Sequence, residues 1–90
     1  HAEVFKEAIN PSYKLKIDFG ELGILKSSAQ ITKNYTIEML VNFQVIAIVN
    51  FPKKQIANFM SECLVLGVVE GDSVVLITPN NKIANGLKIA

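Results

Sequence analysis

YKLKIDFGELGILKSSAQI (residues 13–31) carries the clearest structural pattern of the chain. Over residues 13–19, apolar side chains alternate with lysines and an aspartate, which is the period of a strand with one buried face. Gly20 and Gly23 favour a turn, and residues 24–31 form a second, mostly apolar stretch of strand length. The pattern predicts that the chain runs out as one strand and returns as the next.

Further short strands and a single helix are predicted for the rest of the chain. Thr36 can cap a short helix over residues 37–41, because its hydroxyl can accept a hydrogen bond from the first turn. The tetrapeptide EGDS (residues 70–73) favours a tight hairpin turn. Apolar runs rich in strand-forming residues occupy residues 43–51, 62–69 and 74–78. Several short strands with one helix between the third and fourth predict the five-stranded barrel called the OB-fold.

The N-terminus bears on this fold class. The chain starts at His1, and residues 2–5 look like the tail of an element that begins earlier. We therefore expect an N-terminally incomplete domain in which the first barrel strand is missing or truncated. On this interpretation residues 1–90 are a single OB-fold domain of all-β type with one short helix.

Composition predicts self-association. Half of the 90 residues are hydrophobic, and the mean hydropathy is +0.34. A chain this short buries only about 60–65% of its unfolded surface, so part of this apolar surface must stay exposed. Exposed apolar patches mark interaction sites, and a two-fold homodimer is the simplest assembly that would cover one. We expect its interface to use residues 74–77 and 83–89.

Several classes of function find no support in the residues. No apolar run reaches the roughly 18 residues of a membrane span, so no membrane insertion is expected. Cys63 is the single cysteine, which leaves no disulfide framework or zinc cluster and fits a reducing cytoplasm. Catalytic acid pairs and phosphate loops are not apparent, so we expect neither an enzyme nor a cofactor. The net charge of +1 argues neither for nor against a nucleic-acid partner.

Four blocks of sequence resemble the CsaA proteins. They are YKLKIDFG (13–20), KSSAQIT (26–32), VNFPKKQIANFMSECLVLG (49–67) and IANGLKIA (83–90). These proteins are small relatives of the tRNA-binding domain that is appended to methionyl- and phenylalanyl-tRNA synthetases. The resemblance implies an OB-fold, a homodimer and a cytoplasmic, export-related chaperone that binds unfolded or precursor polypeptides. The wider family implies structure-directed tRNA binding.

Polar and basic residues of these blocks are the candidate RNA contacts. Lys53 and Lys54 follow Pro52 in a connector, where they either touch phosphates or only keep strands from pairing edge to edge. The small polar side chains nearby either face the same groove or satisfy local backbone groups. The full set of candidates is Ser27, Ser28, Gln30, Asn50, Lys53, Lys54 and Ser61.

Phe51, Phe59 and Met60 are the candidate polypeptide contacts. They flank the basic connector, and the flexible thioether of methionine suits promiscuous apolar contacts. The alternative is that these side chains belong to the core or to the dimer interface. For Glu62 we expect a bond to a backbone amide or a pair with a lysine, and for Cys63 a buried structural thiol.

Three functions remain open on these residues. The leading hypothesis is a dimeric CsaA-like chaperone with tRNA-binding capability. The second is a tRNA-binding module that acts through a basic OB-fold face, and the third is an oligomerisation domain of a synthetase-like protein. The departure from the synthetase-type pattern S-x-G-M at SECL (61–64) favours the first hypothesis over the second.

Overall fold

The computed structural model describes residues 1–50 and 52–89. Within them lie nine strands, one α-helix and one 3-10 turn. In chain order these are β1 (Ala2–Val4), β2 (Tyr13–Asp18), the 3-10 turn (Gly20–Leu22), β3 (Ile24–Ala29), α1 (Ile37–Leu40), β4 (Ala47–Ile48), β5 (Lys54–Ile56), β6 (Phe59–Ser61), β7 (Leu64–Val65), β8 (Gly67–Glu70) and β9 (Ser73–Leu76). The chain is therefore mostly β with one short helix.

Strands β1, β2 and β3 form an antiparallel sheet in that order. The strand and returning strand predicted from residues 13–31 are confirmed, although β3 ends at Ala29. Gly20 and Gly23 have φ angles of 62° and 85°, which favour glycine. The Phe19 N–H closes the turn by donating to the Gly23 carbonyl at 2.9 Å. β1 pairs with β2, so residues 2–4 are themselves a strand of this sheet.

The core lies on the inner face of this sheet. Tyr13 and Leu15 are buried there, as the alternating pattern predicts. The Tyr13 hydroxyl donates to the Tyr35 carbonyl at 2.8 Å. In turn, the Tyr35 hydroxyl accepts the Leu76 N–H at 2.8 Å. Tyr35 thus fastens β2 to β9 across the core.

The predicted cap of the short helix is confirmed. The Thr36 side chain accepts the Met39 N–H at 3.3 Å, which satisfies one free donor of the first turn. The helix ends at Leu40, one residue earlier than expected. Asn42 then adopts a φ of 65°, a left-handed conformation that asparagine tolerates and that turns the chain away from the helix.

The strand predicted over residues 43–51 is largely absent in the part that the structure describes. Only β4 is paired, with β7, and Phe51 lies outside the described residues. The Gln44 side chain bonds the backbone of Ile83, through both its amide nitrogen and its oxygen. An apolar run predicts burial, but it does not show which backbone groups find strand partners. Most of residues 43–50 are half-buried here, and Ile48 and Asn50 are exposed.

The strand predicted over residues 62–69 is also divided. β7 and β8 are separated by Leu66, whose N–H donates to the Ile46 carbonyl at 2.8 Å. At Gly67, a side chain would come within 2.5 Å of Val74, so the close packing of β8 on β9 requires glycine. The predicted hairpin at residues 70–73 is confirmed, because Glu70 and Ser73 are cross-strand partners around a two-residue turn.

The basic connector is more regular than a solvated turn. Lys54 begins β5, which pairs with β6 in a hairpin that brings Lys54 opposite Ser61. Ala57 lies in its turn with a φ of 50°. The described strands thus form one three-stranded sheet and three two-stranded pairs that do not close into a barrel. No helix among the described residues is long and apolar enough to cross a membrane.

Candidate binding cleft and adjoining lysine face

The segment from Ser61 to Cys63 runs along the free edge of β3. The Glu62 N–H donates to the Lys26 carbonyl at 2.7 Å, and a carboxylate oxygen of Glu62 accepts the Lys26 N–H at 2.8 Å. One step along, the Ser28 N–H donates to the Ser61 hydroxyl at 3.3 Å. These three bonds fix the segment against β3 and confirm the expected contact between Glu62 and a backbone amide.

Ser27 supports this arrangement from inside. Its side chain is completely buried, and its hydroxyl donates to the Cys63 carbonyl at 2.9 Å. Its place among the candidate RNA contacts is therefore corrected: Ser27 is a buried support for the segment and not a surface group. Ser61 is also buried, with 6% of its surface exposed, and its hydroxyl donates to the same carbonyl at 3.3 Å.

An open cleft of about 660 Å³ lies beside these residues. Its polar lining includes four of the candidate RNA contacts, namely Ser28, Gln30, Lys54 and Ser61. Four further polar residues also line it, namely Glu7, Asn10, Ser12 and Gln55. Apolar side chains supply most of the remaining lining, including Ile9, Ile31, Ile56, Leu64, Val65 and Leu76. Ile9, on the loop after β1, is fully exposed at the rim. The cleft thus combines an apolar surface with a few polar groups that can accept or donate hydrogen bonds.

Lys53 and Asn50 lie outside the cleft lining. The Lys53 ammonium is 3.8 Å from a carboxylate oxygen of Glu62, and 64% of the Lys53 side chain is exposed. This pair confirms that Glu62 also meets a lysine, and at such exposure it contributes at most about 1 kcal/mol to stability. Asn50 is exposed. Phe51, a candidate polypeptide contact, falls outside the described residues.

Phe59 belongs to a cluster that sequence reasoning missed. Its ring meets that of Phe5 edge-on, with centroids 5.4 Å apart. The Lys14 ammonium lies 4.9 Å from the centroid of Phe5 and 5.5 Å from that of Phe59. The Lys26 ammonium lies 5.4 Å from the centroid of Phe59. Both distances to Phe59 are within the range of cation–π attraction.

Part of this cluster had a signal in the sequence. Lys14 and Lys16 alternate with core residues in β2, so they had to share the outer face of its sheet. Lys26 joins them because the register places it opposite Lys16. Met60 follows Phe59 directly in β6, so the two side chains point to opposite faces of the β5–β6 hairpin. These two of the three candidate polypeptide contacts are therefore not neighbours on one surface, and neither lines the cleft.

Cys63 is a buried thiol, as expected, with 1% of its surface exposed. Burial is the main cause that raises the pKa of this thiol above its ordinary value. The charge of Glu62 acts in the same direction, and the hydrogen bond with Ser27 acts against it. The thiol is therefore protonated at neutral pH and has the character of a packing group.

Comparisons with known proteins identify the family of the chain. Residues 2–88 match the family model described as "Putative tRNA binding domain". The crystal structure of the chaperone CsaA from Bacillus anthracis strain Ames superposes with a TM-score of 0.95 at 57% identity, covering 100% of this chain and 83% of that one. The CsaA chaperone protein from Picrophilus torridus gives a TM-score of 0.92 at 55% identity, with the same coverage of both chains. The chain therefore belongs to the tRNA-binding-domain family and, within it, lies with the CsaA chaperones.

Proposed function

We propose that this protein is a CsaA-type chaperone that holds unfolded polypeptide segments in the cleft beside β3. The observation that carries the proposal is the make-up of the cleft: apolar walls with Ser28 and Gln30 among their polar groups. Apolar side chains of an extended segment gain free energy by leaving water there, at roughly 25 cal/mol per Å² of buried surface. The polar groups can meet the backbone of that segment. Binding of this kind is reversible and needs no nucleotide.

Self-association completes the proposal. Several large apolar side chains on β8, β9 and the C-terminal segment are exposed, namely Val68, Val75, Ile77, Ile83, Leu87 and Ile89. A homodimer that covers them would bury about 1,600 Å² in total if it has the standard size.

The fold proposed for this protein is of the OB type. The order of the strands, with α1 between β3 and β4, supports such an arrangement of the sheet and the strand pairs.

The test uses suppression of aggregation of an unfolded reporter protein. Leu64 lines the cleft and is 46% exposed, so Leu64→Ser removes apolar contact without opening the core. Leu22 is 61% exposed and outside the cleft lining, which makes Leu22→Ser the matched control. We expect the first variant to suppress aggregation less well than wild type and the control to behave as wild type. Equal loss in both variants, or none in either, contradicts binding in the cleft.

Salt gives an independent criterion for the same proposal. Apolar burial is not screened by ions, whereas contacts between exposed charges weaken as the Debye length shortens to about 3 Å at 1 M salt. Suppression of aggregation is therefore expected to persist at high salt. Its disappearance at moderate salt would assign polypeptide binding to the lysines.

tRNA binding is the second candidate function. It is favoured by the family match over residues 2–88 and by the two exposed lysines at the start of the β5–β6 hairpin, Lys53 and Lys54. Phosphate contacts by lysines would position an RNA without reading its sequence. Titration of unrelated tRNAs should then give similar affinities that fall together as salt rises. Affinity that does not depend on salt would contradict this function.

A further inference from the structure

The outer face of the three-stranded sheet carries a pair of lysines in an unusual position. Lys16 and Lys26 are directly opposite each other in the register of β2 and β3. Like charges at such positions repel and weaken a sheet. Within residues 1–50 and 52–89, no carboxylate oxygen comes within 4.0 Å of either ammonium group. The face therefore holds two neighbouring positive charges that the described acids do not pair.

The other charges around this face are accounted for. Lys14, beside Lys16 along β2, has Glu7 at 3.7 Å. Lys53 has Glu62 at 3.8 Å. Glu3 lies opposite Lys14 in the register and is 3.9 Å from the ring of His1. Two further carboxylates lie near this face: Asp18 accepts the Gly20 N–H at 2.8 Å, and Glu62 accepts the backbone N–H of Lys26 at 2.8 Å. Neither is within 4.0 Å of the Lys16 or Lys26 ammonium, so these are the two lysines of the face that no described acid pairs.

Lys26 is also held unusually well for an exposed-face lysine. It lies opposite Lys16 in the register of β2 and β3, and its N–H and carbonyl both bond Glu62 on the free edge of β3. Its ammonium lies 5.4 Å from the centroid of Phe59. Phe59 is in turn braced edge-on by Phe5. A side chain ordered before binding loses less conformational freedom when a ligand arrives.

The geometry points to a phosphate-binding site between Lys16 and Lys26, for which Phe59 is a positioning residue. The ligand is the phosphodiester backbone of RNA, so this inference rests on the tRNA-binding function proposed above and specifies its contact surface. Neither lysine lines the cleft. The Lys16–Lys26 site is therefore separate from the cleft proposed for polypeptide, whereas Lys54 lines that cleft.

The first experiment is tRNA titration over a salt series. Lys16→Gln combined with Lys26→Gln keeps much of each side-chain stem and removes both charges. Lys6→Gln combined with Lys82→Gln makes the same charge change at exposed positions outside the cleft and outside the proposed dimer interface. Each lost phosphate contact reduces the slope of log affinity against log salt by about 0.7 to 0.9, so the first variant is expected to lose about 1.4 to 1.8 and the control nothing.

The outcomes separate this inference from the function on which it rests. If wild type binds tRNA with a salt dependence and both double variants keep its slope, tRNA binding stands and the Lys16–Lys26 site is wrong. If wild type does not bind tRNA, both the tRNA-binding function and the Lys16–Lys26 site are wrong. Suppression of reporter aggregation by the Lys16→Gln, Lys26→Gln variant is expected to equal that of wild type, and its loss would contradict the separation of the Lys16–Lys26 site from the cleft. Thermal unfolding confirms that each variant is folded.

The second experiment tests the positioning role of Phe59. Phe59→Leu removes the ring, and Phe59→Tyr keeps it. Loss of a cation–π contact at an exposed site is expected to lower tRNA affinity about two- to fivefold, with the salt slope unchanged because both phosphate contacts remain. The NMR shifts of the Lys26 side chain report ring proximity: they should move in Phe59→Leu and stay near the wild-type values in Phe59→Tyr. Equal affinity for wild type and Phe59→Leu would contradict the positioning role.

Discussion

Gln44 holds Ile83 by both ends of its side-chain amide. The Gln44 nitrogen donates to the Ile83 carbonyl at 2.6 Å, and the Gln44 oxygen accepts the Ile83 N–H at 3.1 Å. The amide thus offers the C-terminal segment the donor and acceptor that a neighbouring strand would offer. The same nitrogen also lies 3.1 Å from the side-chain oxygen of Asn85. One side chain therefore fixes the path of the segment that carries part of the proposed dimer surface.

Gln44→Glu is expected to lower the free energy of unfolding by about 1 to 3 kcal/mol, because a carboxylate cannot donate to the Ile83 carbonyl and places charge beside it. Urea denaturation measures the change. Asn80→Asp makes the same chemical change at an exposed position and is the control. If both variants are as stable as wild type, Gln44 does not anchor the segment.

Wild-type protein is expected to sediment as a homodimer at micromolar concentration. Val75 and Leu87 are 46% and 62% exposed and belong to the two stretches proposed for the interface. Val75→Asp combined with Leu87→Asp should give a folded monomer, since a carboxylate cannot be buried there without a partner. The control is Leu22→Asp, at a similar exposure of 61%. A monomeric wild type, or a dimer in the double variant, contradicts this interface.

Ser27 and Ser28 should differ sharply, although they are adjacent and equally polar. Ser27→Ala removes a buried hydrogen bond to the Cys63 carbonyl and should cost about 1 to 2 kcal/mol of stability. Ser28 lines the cleft, so Ser28→Ala should leave stability close to that of wild type and weaken the binding of unfolded polypeptide. The measurements are the free energy of unfolding and the suppression of reporter aggregation, both made on the two variants. Reversed effects would show that the roles are exchanged.

Glu62→Gln is expected to raise tRNA affinity at low salt. The amide oxygen of glutamine can still accept the Lys26 N–H, so the segment stays attached to β3. Its lost charge, however, frees Lys53, which lies 3.8 Å away, for contact with phosphate. The gain should be absent when Lys53→Ala is added. An unchanged or weaker affinity in Glu62→Gln would mean that Lys53 does not touch RNA.

Cys63 gives a prediction for alkaline pH. Because burial raises the pKa of this thiol, the folded protein holds its proton more tightly than the unfolded chain does. The resulting stability is fully present below pH 9.0, the ordinary pKa, and is lost as pH rises through the folded pKa. Denaturation curves from pH 7 to 11 should show this loss in wild type and less of it in Cys63→Ala. If the stability of the two proteins changes with pH in the same way, the pKa of the Cys63 thiol is not raised by folding.

Local pattern predicted the elements whose partners are close in sequence. The alternation in residues 13–19 and the two glycines after it specify β2, its turn and β3, and Thr36 specifies its own cap. The strand prediction for residues 43–50 was largely wrong. Gln44 bonds a residue 39 positions away, and no local pattern of the sequence predicts such a contact.

The candidate site also contains residues that the sequence predicted and residues that it did not. Ser28, Gln30, Lys54 and Ser61 were proposed from family blocks and converge on one cleft. The assignment of Ser27 as a surface contact failed, since strand alternation turns every second residue inward. The cluster of Lys14, Lys26 and Phe59 was not found, because Phe59 lies 33 or more residues from both lysines. Such proximity arises only when the hairpin of β5 and β6 docks on the sheet.

The bonds between Lys26 and Glu62 also govern the order in which the molecule assembles. They join residues 36 positions apart, whereas β2 and β3 meet across a short turn. Closing the longer loop costs more chain entropy, so the edge of β3 is expected to receive its partner late in folding. Until then residues that the folded protein buries at this edge, among them Cys63, are accessible to solvent, and a newly made copy has the properties of a client of the finished protein. The refolding yield should therefore rise when folded protein is already present.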